Sequence, residues 1–223
     1  MTFSLIARCP KTRQFGMVIA SSSPAVAARC VHLRAGVGAV ASQNITDPGL
    51  GPILLDLLAQ GGAAQSVLDK VTQTHPPIAY RQLLVIDAQG QTATHSGQHI
   101  LGLWGQTSGT DCASGGNLLA NADVPAAMIA AFCTTTGHLG TRLMAALNAG
   151  LTAGGEAGPV HSAGLKIVDK LDWPLVDLRV DWSQTPISDL NAIWQIYQPQ
   201  MEAYVQRALN PAGAPKYGVP GDK

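Results

Sequence analysis

The sequence predicts an α+β fold in which two mainly antiparallel sheets stack face to face with helices outside. Three observations predict it. Strand-like segments fall in clusters, and pairs of helices separate the clusters. Neighbouring strands are joined by short polar turns, the connection that antiparallel neighbours use. A doubly wound parallel sheet would instead alternate strands and helices singly. No internal repeat or linker breaks the pattern, so residues 1–209 read as one domain and residues 210–223, rich in Pro, Gly and Lys, as a loose tail.

Residues 2–9 alternate as a strand, with Thr2, Ser4, Ile6 and Arg8 on one face and Phe3, Leu5, Ala7 and Cys9 on the other. A polar turn at 10–14 returns the chain as a strand over 15–20, which makes an opening hairpin. Further strands are expected over 26–34 and 37–42. Residues 43–49 form a polar loop. Helices follow over 50–59 and 63–74, separated by Gly61-Gly62 and ended by Pro76-Pro77. Residues 81–96 read as strand, turn and strand, and 100–105 as another strand. After a glycine-rich turn at 111–117 come helices over 124–135 and 139–149, then strands over 162–168 and 175–180. Thr185 is the expected N-cap of a last helix, with Pro186 at its first position and a kink at Pro199. The inward positions predict that Phe3, Leu5, Ile19, Val40, Leu84 and Leu165 are buried.

Charged residues are only 13 % of the chain, against about 25 % in a typical domain. So few charges imply that part of the surface is covered, and a homodimer or higher homo-oligomer is the simplest cover. Net charge is zero and no basic stripe exists, which excludes phosphate-driven nucleic-acid binding. The N-terminus lacks a basic region and a long apolar run, so a cytoplasmic location is expected. The longest apolar run, 126–133, is too short for a membrane span. Cys9, Cys30, Cys112 and Cys133 include no CxxC pair, and His95 and His99 flank Gly97 in a turn. No metal site is therefore expected, and the cysteines read as reduced thiols in the core. The phosphate-binding patterns GxxxxGK(S/T) and strand-linked GxGxxG are absent, so no cofactor is expected.

Residues 2–8, 36–43, Arg81-Gln82, His95-Ser96-Gly97, Gly116-Asn117-Leu118-Leu119 and Ser162-Ala163-Gly164-Leu165 occur in that order. Together they resemble the bacterial family catalogued as domain of unknown function 1028, which is similar to the N-terminal-nucleophile hydrolases. The resemblance spans about residues 2–170 and implies a four-layer αββα sandwich. The family's Gly-Gly-Asp followed by Arg-Gly becomes Gly154-Gly155-Glu156-Ala157-Gly158 here. The acid survives as Glu156, the arginine is missing, and His161 stands where the family carries glutamine. If the arginine holds an anionic substrate group elsewhere in the family, that departure implies a different substrate here.

An N-terminal threonine combines nucleophile and base: its hydroxyl attacks a carbonyl while its α-amine, with an ordinary pKa of about 8, takes the proton. Thr2 fills this role once Met1 is removed, which a small second residue allows. The reading competes with a plain edge-strand threonine. Asn44 and Asn117 are the candidate oxyanion donors, together with Ser22 and Ser23, although Asn and Ser in turns also serve local backbone groups. Ser22, Ser23, Asp47, Arg81 and His161 are the candidate substrate contacts. Arg8 and Arg81, beside apolar strands, need partners among Asp47, Asp87 and Glu156. Cys9 or Cys30 with His32 or His95 is an alternative nucleophile pair, disfavoured because Cys9 falls on an apolar face. The expected function is a cofactor-free amidohydrolase acting on an amide or related C–N bond of a small molecule. The alternative is a catalytically silent small-molecule-binding protein on the same fold.

Overall fold

The computed structural model describes residues 1–220. Strands β1 (Thr2–Arg8) and β2 (Phe15–Ser21) form the opening hairpin, in register from Phe3 opposite Ala20 to Arg8 opposite Phe15. Helix α1 (Val26–Cys30) leads to β3 (Val31–Arg34) and β4 (Gly38–Asn44). Helices α2 (Leu50–Ala59) and α3 (Ala64–Thr74) and a 3-10 turn at Pro76–Tyr80 follow. Then come β5 (Arg81–Asp87), β6 (Thr92–Ser96), β7 (Gly105–Gly109) and β8 (Cys112–Asn117). Helices α4 (Val124–Thr134) and α5 (Leu139–Thr152) precede β9 (Ser162–Val168) and β10 (Val176–Val180). Helices α6 (Pro186–Tyr197) and α7 (Met201–Leu209) complete the regular elements.

The strands make a six-stranded sheet, ordered β10-β9-β2-β1-β8-β7, and a four-stranded sheet, ordered β3-β4-β5-β6. Every pairing between these strands is antiparallel. Period-2 alternation distributes the apolar side chains over three cores. Phe3, Leu5, Val18 and Leu165 pack under Phe132 of α4, Leu143 of α5 and Trp194 of α6. Ile6, Met17 and Ile19 meet Ala39, Ala41, Leu84 and Ile86 between the sheets. Val40, Leu83 and Val85 pack against Leu54 of α2 and Leu68 of α3. The result is the helix–sheet–sheet–helix sandwich. Phe3, Leu5, Ile19, Val40, Leu84 and Leu165 are all buried.

The structure departs from the expected elements at several points. Residues 26–30 are helical rather than extended, because Ala25 is left-handed and the Ser162 hydroxyl accepts the Val26 N–H. Residues 100–104 are a loop, not a strand. Leu118 and Leu119 donate their N–H groups to Leu101 and Leu103, and Gly102, at φ 61°, lets the loop lie against Leu118. Thr185 does not cap α6 with its side chain; its hydroxyl bonds to Asp189 instead. At Pro199 the helix gives way to a 3-10 turn before α7. Beyond α7, the chain returns to that helix: Arg207 of α7 lies over Tyr217 at 3.8 Å and donates to the carbonyls of Pro215 and Lys216. Of the expected tail, residues 221–223 lie outside the described residues. The cysteines are free thiols; Cys30 and Cys112 are buried, Cys9 is half-buried and Cys133 is exposed. No helix of the described residues is long and apolar enough to cross a membrane.

Candidate active site

The space between the sheets changes character along the strands. At the Thr2 end the inward positions are polar and still buried. β1 and β8 pair so that Thr2 lies opposite Asn117, and β2 and β9 so that Ser21 lies opposite Ser162. Thr2, Ser21, Asn117 and Ser162 are all buried. The Thr2 and Ser21 hydroxyl oxygens are 3.5 Å apart. Facing them from the smaller sheet are Gln43 and Gln82, both fully buried.

These amides form one network with a fixed polarity. Gln82 Nε2 donates to the carbonyls of Gly105 and Gly116 at 3.3 and 3.2 Å, and carbonyls only accept. Gln82 Oε1 must therefore face the other way, where it accepts from Gln43 Nε2 at 2.8 Å and Asn117 Nδ2 at 3.2 Å. That turns Gln43 Oε1 toward the Ser4 hydroxyl, which donates to it at 2.7 Å. It also leaves Asn117 Oδ1 buried with no partner among the described residues. The free end of Asn117 is thus a hydrogen-bond acceptor in a place where an orphan acceptor is costly.

Next to this row, Ser21 to Ser23 wrap the chain end. The carbonyl of Met1 accepts from both the Thr2 and the Ser21 hydroxyls. The Ser23 N–H donates to the Ser21 hydroxyl at 3.1 Å, and the Ser22 N–H donates to both carboxylate oxygens of Glu156 at 3.1 and 3.0 Å. Glu156 is carried there by a turn in which Gly154 and Gly155 take positive φ, and it bridges to Leu119. Its carboxyl is buried. Burial pushes its pKa up to about 7, against the opposing pull of the Met1 α-ammonium and of the Ser22 hydrogen bonds.

Beyond Glu156 lies a cavity of about 340 Å³ bounded by Glu156, Gly158, Val160 and the first turn of α6 at Pro186 and Ile187. The Met1 side chain reaches its wall. A Cβ on Gly158 would stand 3.1 Å from Met1 Cε and 3.5 Å from Met1 Sδ. Met1 and Thr2 are not among the residues that line the cavity; Glu156 and Gly158 connect it to them.

Of the residues expected at the site, Thr2, Asn117, Ser22 and Ser23 converge. His161 joins through its backbone, donating its N–H to Ser21 at 2.9 Å while its ring stacks on Trp182. Asn44, Asp47 and Arg81 do not join. Asn44, at φ 74°, donates to the Tyr80 carbonyl at 2.6 Å and accepts the Leu101 N–H at 3.2 Å, so both ends of its amide are engaged. Asp47 accepts the Gly49 N–H at 3.0 Å, ahead of α2. Arg81 donates to the Ile45 carbonyl rather than to a carboxylate. The expected partners of Arg8 also give way, since it pairs with Asp111 at 3.0 Å. Ser21, Gln43, Gln82 and Glu156 also belong to the site, although no catalytic motif in the sequence marks them for it. The two glutamines carried a legible signal: each occupies an inward position of its strand, in phase with Ala39 and Ala41 or with Leu84 and Ile86.

Fold and site together define an αββα sandwich with a buried polar cluster at the start of its first strand. The model of a family of unknown function, DUF1028, matches residues 2–190, and the chain belongs to that family. It is similar to a protein of Silicibacter pomeroyi, known from a crystal structure and carrying the same family model, at 29 % identity and a TM-score of 0.82. That match covers 88 % of this chain and 89 % of the other. More distant likenesses are to Anbu, an ancestral β-subunit, from Yersinia bercovieri (13 % identity, TM-score 0.42) and to an Anbu Gly-1 mutant from Hyphomicrobium sp. strain MC1 (11 %, 0.44). Each covers 91 % of this chain and 97 % of the other. No curated protein matches the sequence.

Proposed function

We propose that the protein is a cofactor-free amidohydrolase whose nucleophile is the Thr2 hydroxyl and whose base is the Thr2 α-amine, freed by removal of Met1. The observation that carries this reading is the setting of Thr2. Its hydroxyl is buried beside a second hydroxyl, an unpartnered amide oxygen and a cavity-lining carboxyl. Such a cluster is expensive to maintain for packing alone. The Asn117 acceptor suits the N–H of an α-amine and holds the base in place, a different role from the oxyanion donation expected of Asn117 from sequence. Ser21 suits the oxyanion, because its hydroxyl already donates to a carbonyl next to Thr2 Oγ1. One such donor is worth about 3 kcal/mol. Glu156 supplies a carboxyl that exchanges its proton near neutrality.

Retention of Met1 favours the second reading, a silent binding protein. The Met1 carbonyl then occupies both hydroxyls, and the Thr2 nitrogen is an amide without basicity. Intact mass separates the two, followed by a screen of small amides and ureides with trapping of a covalent adduct and peptide mapping to Thr2. Adduct formation elsewhere, or unaltered turnover by Thr2→Ala, overturns the assignment. We also propose self-association, supported by the 13 % charge content and by the exposed Ile45, Tyr80, Leu101, Leu103 and Trp104. Light scattering checks it; a mass of one chain at micromolar concentration refutes it.

A further inference from the structure

Met1 is an acyl group held at the site, and its three parts each meet a distinct feature. Its carbonyl receives the Thr2 and Ser21 hydroxyls. Its thioether side chain lies along Gly158, a residue that lines the cavity together with Leu151, Val160 and Ile187. Glu156, which accepts the Ser22 N–H beside the hydroxyl pair and lines the cavity, is the carboxyl that the Met1 α-ammonium acts on electrostatically, without a direct ion pair. The residues bounding the cavity include no lysine or arginine, and Glu156 is their only ionisable side chain. An anionic substrate would find no countercharge there and one buried carboxylate to repel it. An ammonium would find its counter-ion.

From this arrangement we infer that the site accepts α-aminoacyl amides: compounds with a free ammonium on the carbon next to the scissile carbonyl and an unbranched apolar side chain. The inference rests on the reading of Thr2 as nucleophile. The carbonyl lies beside the Thr2 and Ser21 hydroxyls, where the Met1 carbonyl accepts from them, the ammonium faces Glu156, and the side chain runs past Gly158 toward the apolar cavity. Thr2 Oγ adds to the carbonyl carbon as its proton passes to the Thr2 α-amine. The C–N bond then breaks, and that proton leaves on the departing amine. Water hydrolyses the aminoacyl ester, so one amide and one water give one amino acid and one amine.

The test uses the chain beginning at Thr2, verified by intact mass, with ammonia release from L-methioninamide, N-acetyl-L-methioninamide and succinamate. Methioninamide should exceed both others in kcat/KM by about tenfold or more, because a site built around an ionic contact rejects ligands that lack it. Glu156→Gln should erase most of that preference. Gly158→Leu should shift the preference from methioninamide toward glycinamide by about tenfold, because the added side chain enters the space of the thioether. Equal or faster turnover of the acetylated or anionic amide overturns the inference. If none of these amides is turned over, calorimetric titration of the Thr2→Ala chain decides. Binding of methioninamide but not of its acetylated form keeps the ligand class and removes the hydrolase reading. Absence of methioninamide binding at millimolar concentration, or equal binding of both, removes the ligand class.

Discussion

The two halves of the layer between the sheets are built on the same strands with opposite chemistry. Toward the middle of the strands, Ile6, Ile19, Ala41, Leu84, Ile86 and Ala113 close an apolar core. One inward step along β1, β4 and β5 toward the Thr2 end, the side chains become Ser4, Gln43 and Gln82, equally buried. The apolar half gains from removing surface from water, at roughly 25 cal/mol per Å². The amide half gains little from burial and holds only if its hydrogen bonds close. They close around Gln82, except at Asn117 Oδ1. One half is therefore a scaffold, and the other an array of oriented polar groups with one acceptor left over beside Thr2.

Substitutions can break this contrast. The largest expected effect is on chemistry: Thr2→Ala should lower turnover of any amide substrate by more than about a thousandfold. Its melting temperature should hardly move, since the change removes a hydroxyl and a methyl at a strand end. Steady-state rates and thermal melts on the same preparation check both parts. On stability, Gln82→Leu should cost roughly 3–5 kcal/mol, because it strands the amide hydrogens of Gln43 and Asn117 and two glycine carbonyls. Leu84→Ala, two residues along, should cost about 2–5 kcal/mol through the cavity it leaves. The difference is in activity: Gln82→Leu also releases Asn117 and should depress turnover, whereas Leu84→Ala should leave the ratio of kcat to folded enzyme intact. Equal loss of that ratio in both variants would refute the division into scaffold and site.

Glu156 sharpens the comparison through pH. Its carboxyl has a folded pKa of about 7 against an ordinary 4.5, so the folded state binds the proton more tightly. That contribution is fully present below pH 4.5 and is lost as the pH rises through 7. Glu156→Gln never ionises. In the chain that keeps Met1, the stability of the variant relative to the parent should rise between pH 4.5 and 7 and level off above. The full span is at most about 3.5 kcal/mol. Urea unfolding across pH 4–8 measures it, and a flat or falling difference contradicts the raised pKa. The smallest effect is expected at Asn44. Asn44→Ala loses two loop hydrogen bonds and strains a left-handed backbone, costing about 1–2 kcal/mol with kcat unchanged. A large fall in kcat would return Asn44 to the site.

The sequence by itself determined which side of each strand faces inward, because alternation with period 2 leaves no freedom once one apolar position is assigned. Thr2, Ser4 and Ile6 were legible as one face, and the clustering of strands between helix pairs was enough for stacked antiparallel sheets. Chain order did not determine what those faces meet. Glu156 follows Thr2 by most of the chain, and only the docking of β8 and β9 beside the first hairpin carries it to the chain end. Asn44 and Asn117 look alike in sequence, each an asparagine in a turn-like stretch, and in the structure each ends a strand. Tertiary structure engages both ends of one amide in a loop clamp and leaves the other with a free acceptor. Residues 26–30 became a helix because a hydroxyl more than a hundred residues away accepts the Val26 N–H. Faces follow from local geometry. Hydrogen-bond partners, and the chemistry they permit, follow from contacts between segments distant in sequence, which no local pattern encodes.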